Sequence, residues 1–263
     1  MSAPVFLADP GRLDACAAGS TYVLEGTEAR HAGVVQRRRP GELVDVADGA
    51  GVRLVCRIAA VETGRLVLDV VERHQEPASA VRLVLVQALA KGDRDELAVE
   101  AATEVGVDEV VPWQASRSVV VWRGERAAKS RAKWLATVRQ AAKQSRRAWV
   151  PDVAAAVTTR GLADLTRHVR GQGGVVLVLH EEARQPIGAV ALPTPAPGAP
   201  TGAVPAVLVV VGPEGGIDGA ELTELEEAGA RTVRLGPHVL RTSTAGPVAV
   251  ALLAERLGRW DVS

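Results

Sequence analysis

Aromatic side chains are scarce in this sequence: five Trp, one Tyr and one Phe, 3% of 263 residues. So few rings exclude a row of stacking platforms of the kind that holds single-stranded nucleic acid. The core must instead be aliphatic and alanine-rich, drawn from a hydrophobic content of 47%. Only two cysteines occur, Cys16 and Cys56. They have neither the spacing of a metal site nor the partners for a disulfide framework. None of the five histidines forms a ligand pair, so no metal is expected. Net charge is missing as well, because 31 Lys and Arg balance 31 Asp and Glu. A neutral chain has no overall field to attract an anionic polymer, so contact with nucleic acid needs local basic patches. No apolar run reaches membrane-spanning length, and no basic segment with an apolar signal core opens the chain. The expectation is a soluble, cytoplasmic protein with no membrane partner. Its length leaves room for one large or two modest domains.

Two blocks of different periodicity are present. Residues 1–75 read as a small β-rich domain. Residues 52–58 partly alternate apolar and polar, as a half-buried strand does, and Thr63-Gly64 turns the chain into a second strand at 66–71. Ahead of them, residues 27–35 read as a short helix that Thr27 could cap, running into Arg37-Arg38-Arg39-Pro40-Gly41. So short a meander is expected to close into a small barrel and hide its edges. A charged, proline-containing junction at 72–80 leads into a second domain, 80–263. Strands are expected there at 81–86, 109–113, 175–179, 207–211 and 232–235. Helices are expected up to about Val105, at 128–149 and at 248–257, with Pro247 in the first turn of the last. This alternation argues for a parallel sheet covered on both faces. Helical spacing puts Leu97, Ala98, Ala101, Ala102 and Val105 on one inner face, and Trp134, Leu135, Val138, Ala141, Ala142 and Ser145 on another. The uncharged stretch 192–205, rich in Pro, Gly, Ala and Thr, reads as a mobile loop or linker.

The second domain is organised around residues 207–245. Val207-Leu208-Val209-Val210-Val211 breaks into Gly212-Pro213-Glu214-Gly215-Gly216. The strand at 232–235 ends in Gly236-Pro237, followed by His238-Val239-Leu240-Arg241-Thr242-Ser243-Thr244-Ala245. A buried strand ending in glycine leaves bare backbone at the carboxyl edge of a parallel sheet. Two such ends suggest one crevice lined by N–H and C=O groups, suited to a flat, polar-edged ligand such as a nucleoside. Tight turns alone would also explain the glycines. His180 follows the strand at 175–179 and belongs to the same edge, where a structural role suffices for it. Neither the dinucleotide nor the phosphate-loop pattern is present, which disfavours a nucleotide-dependent oxidoreductase. Thr242, Ser243 and Thr244 can cap the last helix. Basic residues cluster twice. One cluster is Arg37, Arg38 and Arg39. The other is Arg139, Lys143 and Arg146 at i, i+4 and i+7, with Arg147 beside them. Both suit phosphate contact, and both also fit a solvated face.

G-P-E-G-G followed by L-G-x-x-V-L-R-T-x-T-A resembles the signature of the RsmE family. These are S-adenosylmethionine-dependent methyltransferases of small-subunit ribosomal RNA in the SPOUT superfamily. The likeness covers nearly the whole chain. It includes Q-A-A-K-Q-S-R-R at 140–147 and K-G-D-R-D-E-L-A-V-E-A-A-T-E-V-G at 91–106. It also includes His31 followed by V-V-Q-R-R-R-P-G-E, in which Gln36 stands where the family usually has Leu. The resemblance implies an α/β fold: a PUA-like, RNA-binding β-barrel at 1–75, then a SPOUT α/β domain with a C-terminal trefoil knot. It implies a homodimer, with S-adenosyl-L-methionine in the knot and 16S ribosomal RNA of the small subunit methylated at N3 of a uridine. The cofactor positions implied are Leu179, His180, Gly212, Pro213, Glu214, Gly215, Gly216, Leu235, Gly236, Leu240, Arg241, Ser243, Thr244 and Ala245. The RNA positions are Arg37, Arg38, Arg39, Arg139, Lys143, Arg146 and Arg147. Arg241 is the catalytic candidate, a guanidinium for the charge that develops on the uracil oxygen. His238 and Ser243 depart from the Arg and Glu common in the family, which bears on those side chains and not on backbone contacts. The other functional class compatible with these residues is a non-catalytic RNA-binding or ribosome-assembly protein that keeps the fold. Binding of S-adenosylmethionine separates the two.

Overall fold

The computed structural model describes residues 3–194 and 204–261. The chain forms two compact units: one of Met1–Ala78 with Ala142–Val150, the other of Ser79–Ala141 with Pro151–Ser263.

Five strands build the first unit: β1 (Val5–Leu7), β2 (Thr21–Glu25), β3 (Leu43–Ala47), β4 (Val52–Glu62) and β5 (Arg65–Gln75). Their order is β1-β3-β4-β5-β2, with β1 parallel to β3 and the other pairs antiparallel. Leu54, Cys56 and Ile58 alternate inward along β4, and Leu66, Leu68 and Val70 along β5, onto a core with Phe6, Leu13 and Leu24. The β4–β5 register slips at Val55/Cys56 and at Ile58/Ala60. Such bulges bend a strand, so the sheet curls into a half-barrel. Among the described residues no pairing joins β1 to β2. Both hairpin strands outrun the apolar pattern: β4 continues to Glu62 because Ala60, Val61 and Glu62 pair with Val67, Leu66 and Arg65, and β5 continues because the polar Glu72 to Gln75 still pair with Val55 to Val52. Helix α1 (Gly26–Arg30) continues into a π-helical turn at His31–Val35. Thr27 lies inside α1 and does not cap it; Glu25 holds the N-cap position without a side-chain bond. The returning segment completes this unit. Trp149 Nε1 donates to the Glu76 carbonyl at 3.1 Å, and the Gly51 N–H donates to Ala148 O at 3.1 Å. Gly51 has φ +101°, and a Cβ there would come within 2.6 Å of the Trp149 ring, so glycine is required on both counts.

The second unit holds a parallel sheet. Its strands are β6 (Arg82–Ala88), β7 (Glu109–Gln114), β8 (Asp152–Val153), β9 (Val157–Thr158), β10 (Val175–Leu179), β11 (Ala206–Val211) and β12 (Arg231–Val233). The order is β12-β10-β11-β6-β7-β8, with β9 also paired to β7. The helices are α2 (Arg94–Glu104), α3 (Glu125–Gln144), α4 (Thr159–Gly171), α5 (Gly219–Glu227) and α6 (Thr242–Arg256). Alternation along the strands divides the two faces. Val84, Val86, Leu208 and Val210 pack with Leu162 and Ala163 of α4 and Leu225 of α5. Leu85 and Val211 point the other way, towards α6, where Gly246 lets the helix approach: a Cβ there would lie 2.9 Å from Leu85.

Several sequence-based expectations are corrected. In α2 the buried residues are Asp95, Ala98, Val99, Ala102 and Thr103, while Leu97 is 54% exposed. This helix packs on both β6 and α6, so its buried stripe is set by two partners and not by apolar spacing alone. Helix α3 starts at Glu125 and stops at Gln144, because the chain turns through Arg146 at φ +60°. Strand β12 ends at Val233 and not at 235. Helix α6 begins at Thr242, so Pro247 lies inside it; Arg241 holds the N-cap position, and no side chain caps the helix. Residues 192–194 and 204–205 carry no helix or strand, and the rest of the expected loop, 195–203, lies outside the described residues. Among the described residues no helix is long and apolar enough to cross a membrane, and no cluster of His, Cys, Asp and Glu could hold a metal ion.

Candidate functional site

Because the sheet is parallel, β12, β10 and β11 end side by side on one edge. The His180 N–H donates to Val233 O at 3.0 Å, Arg234 N–H to Gln185 O at 2.8 Å and Ile187 N–H to Arg234 O at 3.0 Å. These bonds tie the segment after β10 to the segment after β12. On the other side Thr242 makes the junction. Its hydroxyl donates to Gly212 O at 2.8 Å and accepts from Gln87 Nε2 at 2.9 Å. The amino end of α6 is thereby fixed to the glycine turn after β11 and to the end of β6. Gln87 is fully buried, and its Oε1 has no hydrogen-bond partner among the described residues.

Between these two ties runs a stretch of free backbone. Residues 235–240 take part in no hydrogen bond among the described residues. Six residues with unpaired main-chain groups are unusual in a folded chain, where N–H and C=O are ordinarily satisfied. A Cβ placed on Gly236 would meet nothing within 4 Å, so open space adjoins the bare backbone. Leu179 and His180 are half-buried at the same edge, and His180 Nδ1 accepts from the Glu182 N–H at 3.3 Å. Arg241 is exposed, with no ion pair among the described residues. Thr244 and Ala245 direct their N–H groups to Arg241 O at 2.8 and 2.9 Å.

The glycine turn has two halves with different neighbours. Gly212 faces Thr242, as above. Glu214 and Gly215 lean the opposite way, towards the segments after β6 and β7. Glu214 Oε1 accepts from Arg94 Nη1 at 3.0 Å and from the Lys91 N–H at 3.3 Å; Gly215 O accepts from Arg117 Nη1 at 3.0 Å. Lys91, Arg94, Arg117, Val119, Glu214 and Gly215 line a recess of about 450 Å³. Sequence reasoning passed over these three cations, although each follows a strand of the sheet and that position was a usable signal. Glu221, nearly buried, holds this region in place. It accepts from Ser116 N–H at 2.9 Å, Ser116 Oγ at 2.8 Å and Asp218 N–H at 3.3 Å. Burial pushes the carboxyl of Asp95 up from its ordinary value. It does the same to Glu109, where the nearby Arg82 partly offsets it.

The basic residues differ in exposure and in pairing. Arg37 and Arg39 are exposed, and Arg38 pairs with Glu42 at 3.2 Å. Arg139 is exposed on α3, Arg146 is exposed beyond its end, and Arg147 is half-buried. Lys143 is a correction. It is 8% exposed, with Nζ 2.6 Å from Glu28 Oε2, 3.2 Å from His31 Nδ1 and 5.1 Å from the centre of the Phe6 ring. The stripe expected from i, i+4, i+7 spacing is broken because α3 ends one residue after Lys143, whose side chain packs into the first unit.

Residues 77–254 match the RNA methyltransferase domain family. Over 245 residues the chain is 43% identical to the ribosomal RNA small subunit methyltransferase E of Mycobacterium bovis, covering 93% of this chain and 90% of that protein. The chain belongs to the ribosomal RNA small subunit methyltransferase E family. The Bacillus subtilis member is 29% identical over 236 residues, 89% of this chain and 90% of its own. The crystal structure of the Neisseria gonorrhoeae member, bound to S-adenosyl methionine, superposes with a TM-score of 0.82 at 26% identity, over 97% of this chain and 98% of that one. Family membership accounts for the α/β fold and makes this an RNA methyltransferase.

Proposed function

We propose that this chain transfers a methyl group from S-adenosyl-L-methionine to N3 of a uridine in 16S ribosomal RNA of the small subunit. The observation that carries the reading is the crevice: three parallel strand ends, six residues of unpaired backbone and open space at Gly236. Backbone donors and acceptors of this kind suit the hydrogen-bonding edges of an adenine and an amino-acid group. Leu179, His180, Gly212, Leu235, Gly236, Leu240, Ser243, Thr244 and Ala245 would hold the cofactor, with Pro213, Glu214, Gly215 and Gly216 shaping the turn behind them. The cofactor supplies a methyl group already activated on a sulfonium. Orientation and preparation of the nucleophile remain for the protein. Uridine N3 carries a proton, which leaves to solvent, and the negative charge spreads onto the flanking carbonyl oxygens. The Arg241 guanidinium, exposed at the amino end of α6, stabilises that charge, aided by the positive end of the helix.

Finer features of the architecture belong to the same proposal. From β12 at the sheet edge the chain goes on to α6, which packs on β6, β11 and α2; that course supports a trefoil knot. The curled sheet of the first unit supports a PUA-like barrel. Val248 and Leu252 on α6 and Leu97 on α2 leave an exposed apolar face on two packed helices, which supports a homodimer. Calorimetry with S-adenosylmethionine tests the crevice. Wild type binds it. Gly236→Val stays folded and loses binding, because a branched side chain fills the open space. A folded Gly236→Val protein with unchanged affinity would move the cofactor elsewhere.

A further inference from the structure

The π-helical turn at His31–Val35 has an outer side that the fold of the first unit does not use. Its defining bond runs from the Gln36 N–H to His31 O at 2.9 Å, one residue wider than an α-helical turn. The inner side is anchored. Ala32 is buried, and a Cβ on Gly33 would lie 3.3 Å from Val61 Cγ1. The outer side presents Val34 and Val35 at 65% and 68% exposure, and Val61, against Gly33, is itself over a third exposed. One exposed valine is ordinary, whereas adjacent ones on an ordered turn form a patch.

The surroundings of this patch are positively charged. Arg30, Arg37 and Arg39 are exposed, and none has an ion pair among the described residues. The nearby carboxylates are taken: Glu42 by Arg38 and Glu28 by Lys143. Arg37 is held at φ +52°, a left-handed conformation that few non-glycine residues adopt and that tends to persist where function requires it. From beneath, Lys143 contacts both Glu28 and His31, and His31 meets the Phe6 ring edge-on at 6.2 Å. The turn is therefore rigid before any partner arrives.

We propose that this turn is an RNA-contacting wedge, in which Val34 and Val35 pack against an unstacked base of the ribosomal RNA while Arg30, Arg37 and Arg39 hold the flanking phosphates. The proposal rests on the function proposed above. Aliphatic side chains inserted beside a base step are an established way to unstack it, and arginines around them supply the phosphate contacts. In a chain this poor in Phe and Tyr, an aliphatic tip takes the place of a stacking ring.

The test compares the full-length wild type with Val34→Ser/Val35→Ser and with Arg37→Ala/Arg39→Ala. Affinity for unmethylated small ribosomal subunits is measured over a series of salt concentrations, and cofactor affinity by calorimetry. The serine pair is expected to bind about tenfold more weakly at every salt, with the same salt slope, because the lost contact is apolar. The alanine pair is expected to flatten the slope by about one to two units as counterion release is lost. Both keep wild-type melting and cofactor affinity. A serine pair that binds subunits like wild type overturns the wedge. So does a loss confined to intact subunits and absent with protein-free 16S ribosomal RNA, which would assign the patch to a protein partner. Wild type that binds cofactor but neither subunits nor RNA contradicts the proposed function itself, a result distinguishable from failure of the wedge alone.

Discussion

Lys143 shows how far a single residue can depart from its sequence context. Helical spacing put it in a basic stripe, yet it lies buried on Glu28 and His31. Its role is then to hold the first unit together. Lys143→Met is expected to lower stability by about 3 kcal/mol, since it leaves the Glu28 carboxylate without its partner in a largely buried place. Arg139→Ala, on the exposed face of α3, should leave urea unfolding unchanged. Equal midpoints for Lys143→Met and wild type would contradict the assignment. The sequence could not reveal this, because the helix is ended by Arg146 at φ +60° and no glycine marks the stop. Cys56 behaves as its burial dictates. Its thiol is pushed up to about 12, first by burial and then by the Asp45 charge. The folded state thus binds this proton more tightly than the unfolded one. That contribution to stability is complete below the ordinary thiol range and is lost as pH rises towards about 12. At pH 8 a thiol reagent should modify the half-buried Cys16 and reach Cys56 only as fast as the protein unfolds; rapid reaction of both would contradict the buried site.

Among the elements, the central strands were legible because a strand covered on both faces must be apolar throughout, as 175–179 and 207–211 are. The starts and ends of elements were less legible. Polar residues continue β5 on its exposed face, and α6 begins six residues before the expected Val248, at a residue thought to be a cap. Of the two glycine turns, Gly236-Pro237 lies in a stretch of unpaired backbone at the sheet edge, whereas the turn at 212–216 is engaged by Thr242, Arg94, Lys91 and Arg117. The glycines could not show that Thr242 closes the crevice through two hydrogen bonds, which depend on Gln87, far away in the chain. Thr242→Val keeps the shape and removes both bonds. The expected loss is about 2 kcal/mol of stability, with weaker cofactor binding as Gly212 and α6 loosen. Thr242→Ser should restore both properties. Cofactor affinity unchanged in Thr242→Val would show that this junction does not organise the crevice.

At the scale of the whole molecule, the linear pattern of a β-rich block followed by alternating strands and helices conveys the two kinds of architecture. It does not convey that Ala142–Val150 completes the first unit. That membership depends on contacts such as Trp149 with Glu76 and Gly51, which no periodicity encodes. Zero net charge likewise hides local inequality: Arg30, Arg37 and Arg39, in and beside the turn at 31–39, are exposed with no ion pair among the described residues, while Glu42 and Glu28 near them are paired. The central claim is that the crevice of the second unit methylates small-subunit ribosomal RNA, and it is tested most directly by methyl transfer. Unmethylated small subunits are incubated with the protein and labelled S-adenosylmethionine, and the ribosomal RNA is then mapped by mass spectrometry. The account predicts label at N3 of one uridine of 16S ribosomal RNA. It further predicts a large loss of single-turnover rate in Arg241→Ala at saturating cofactor, with cofactor affinity retained. Wild-type protein that binds the cofactor yet leaves the ribosomal RNA unlabelled would contradict it.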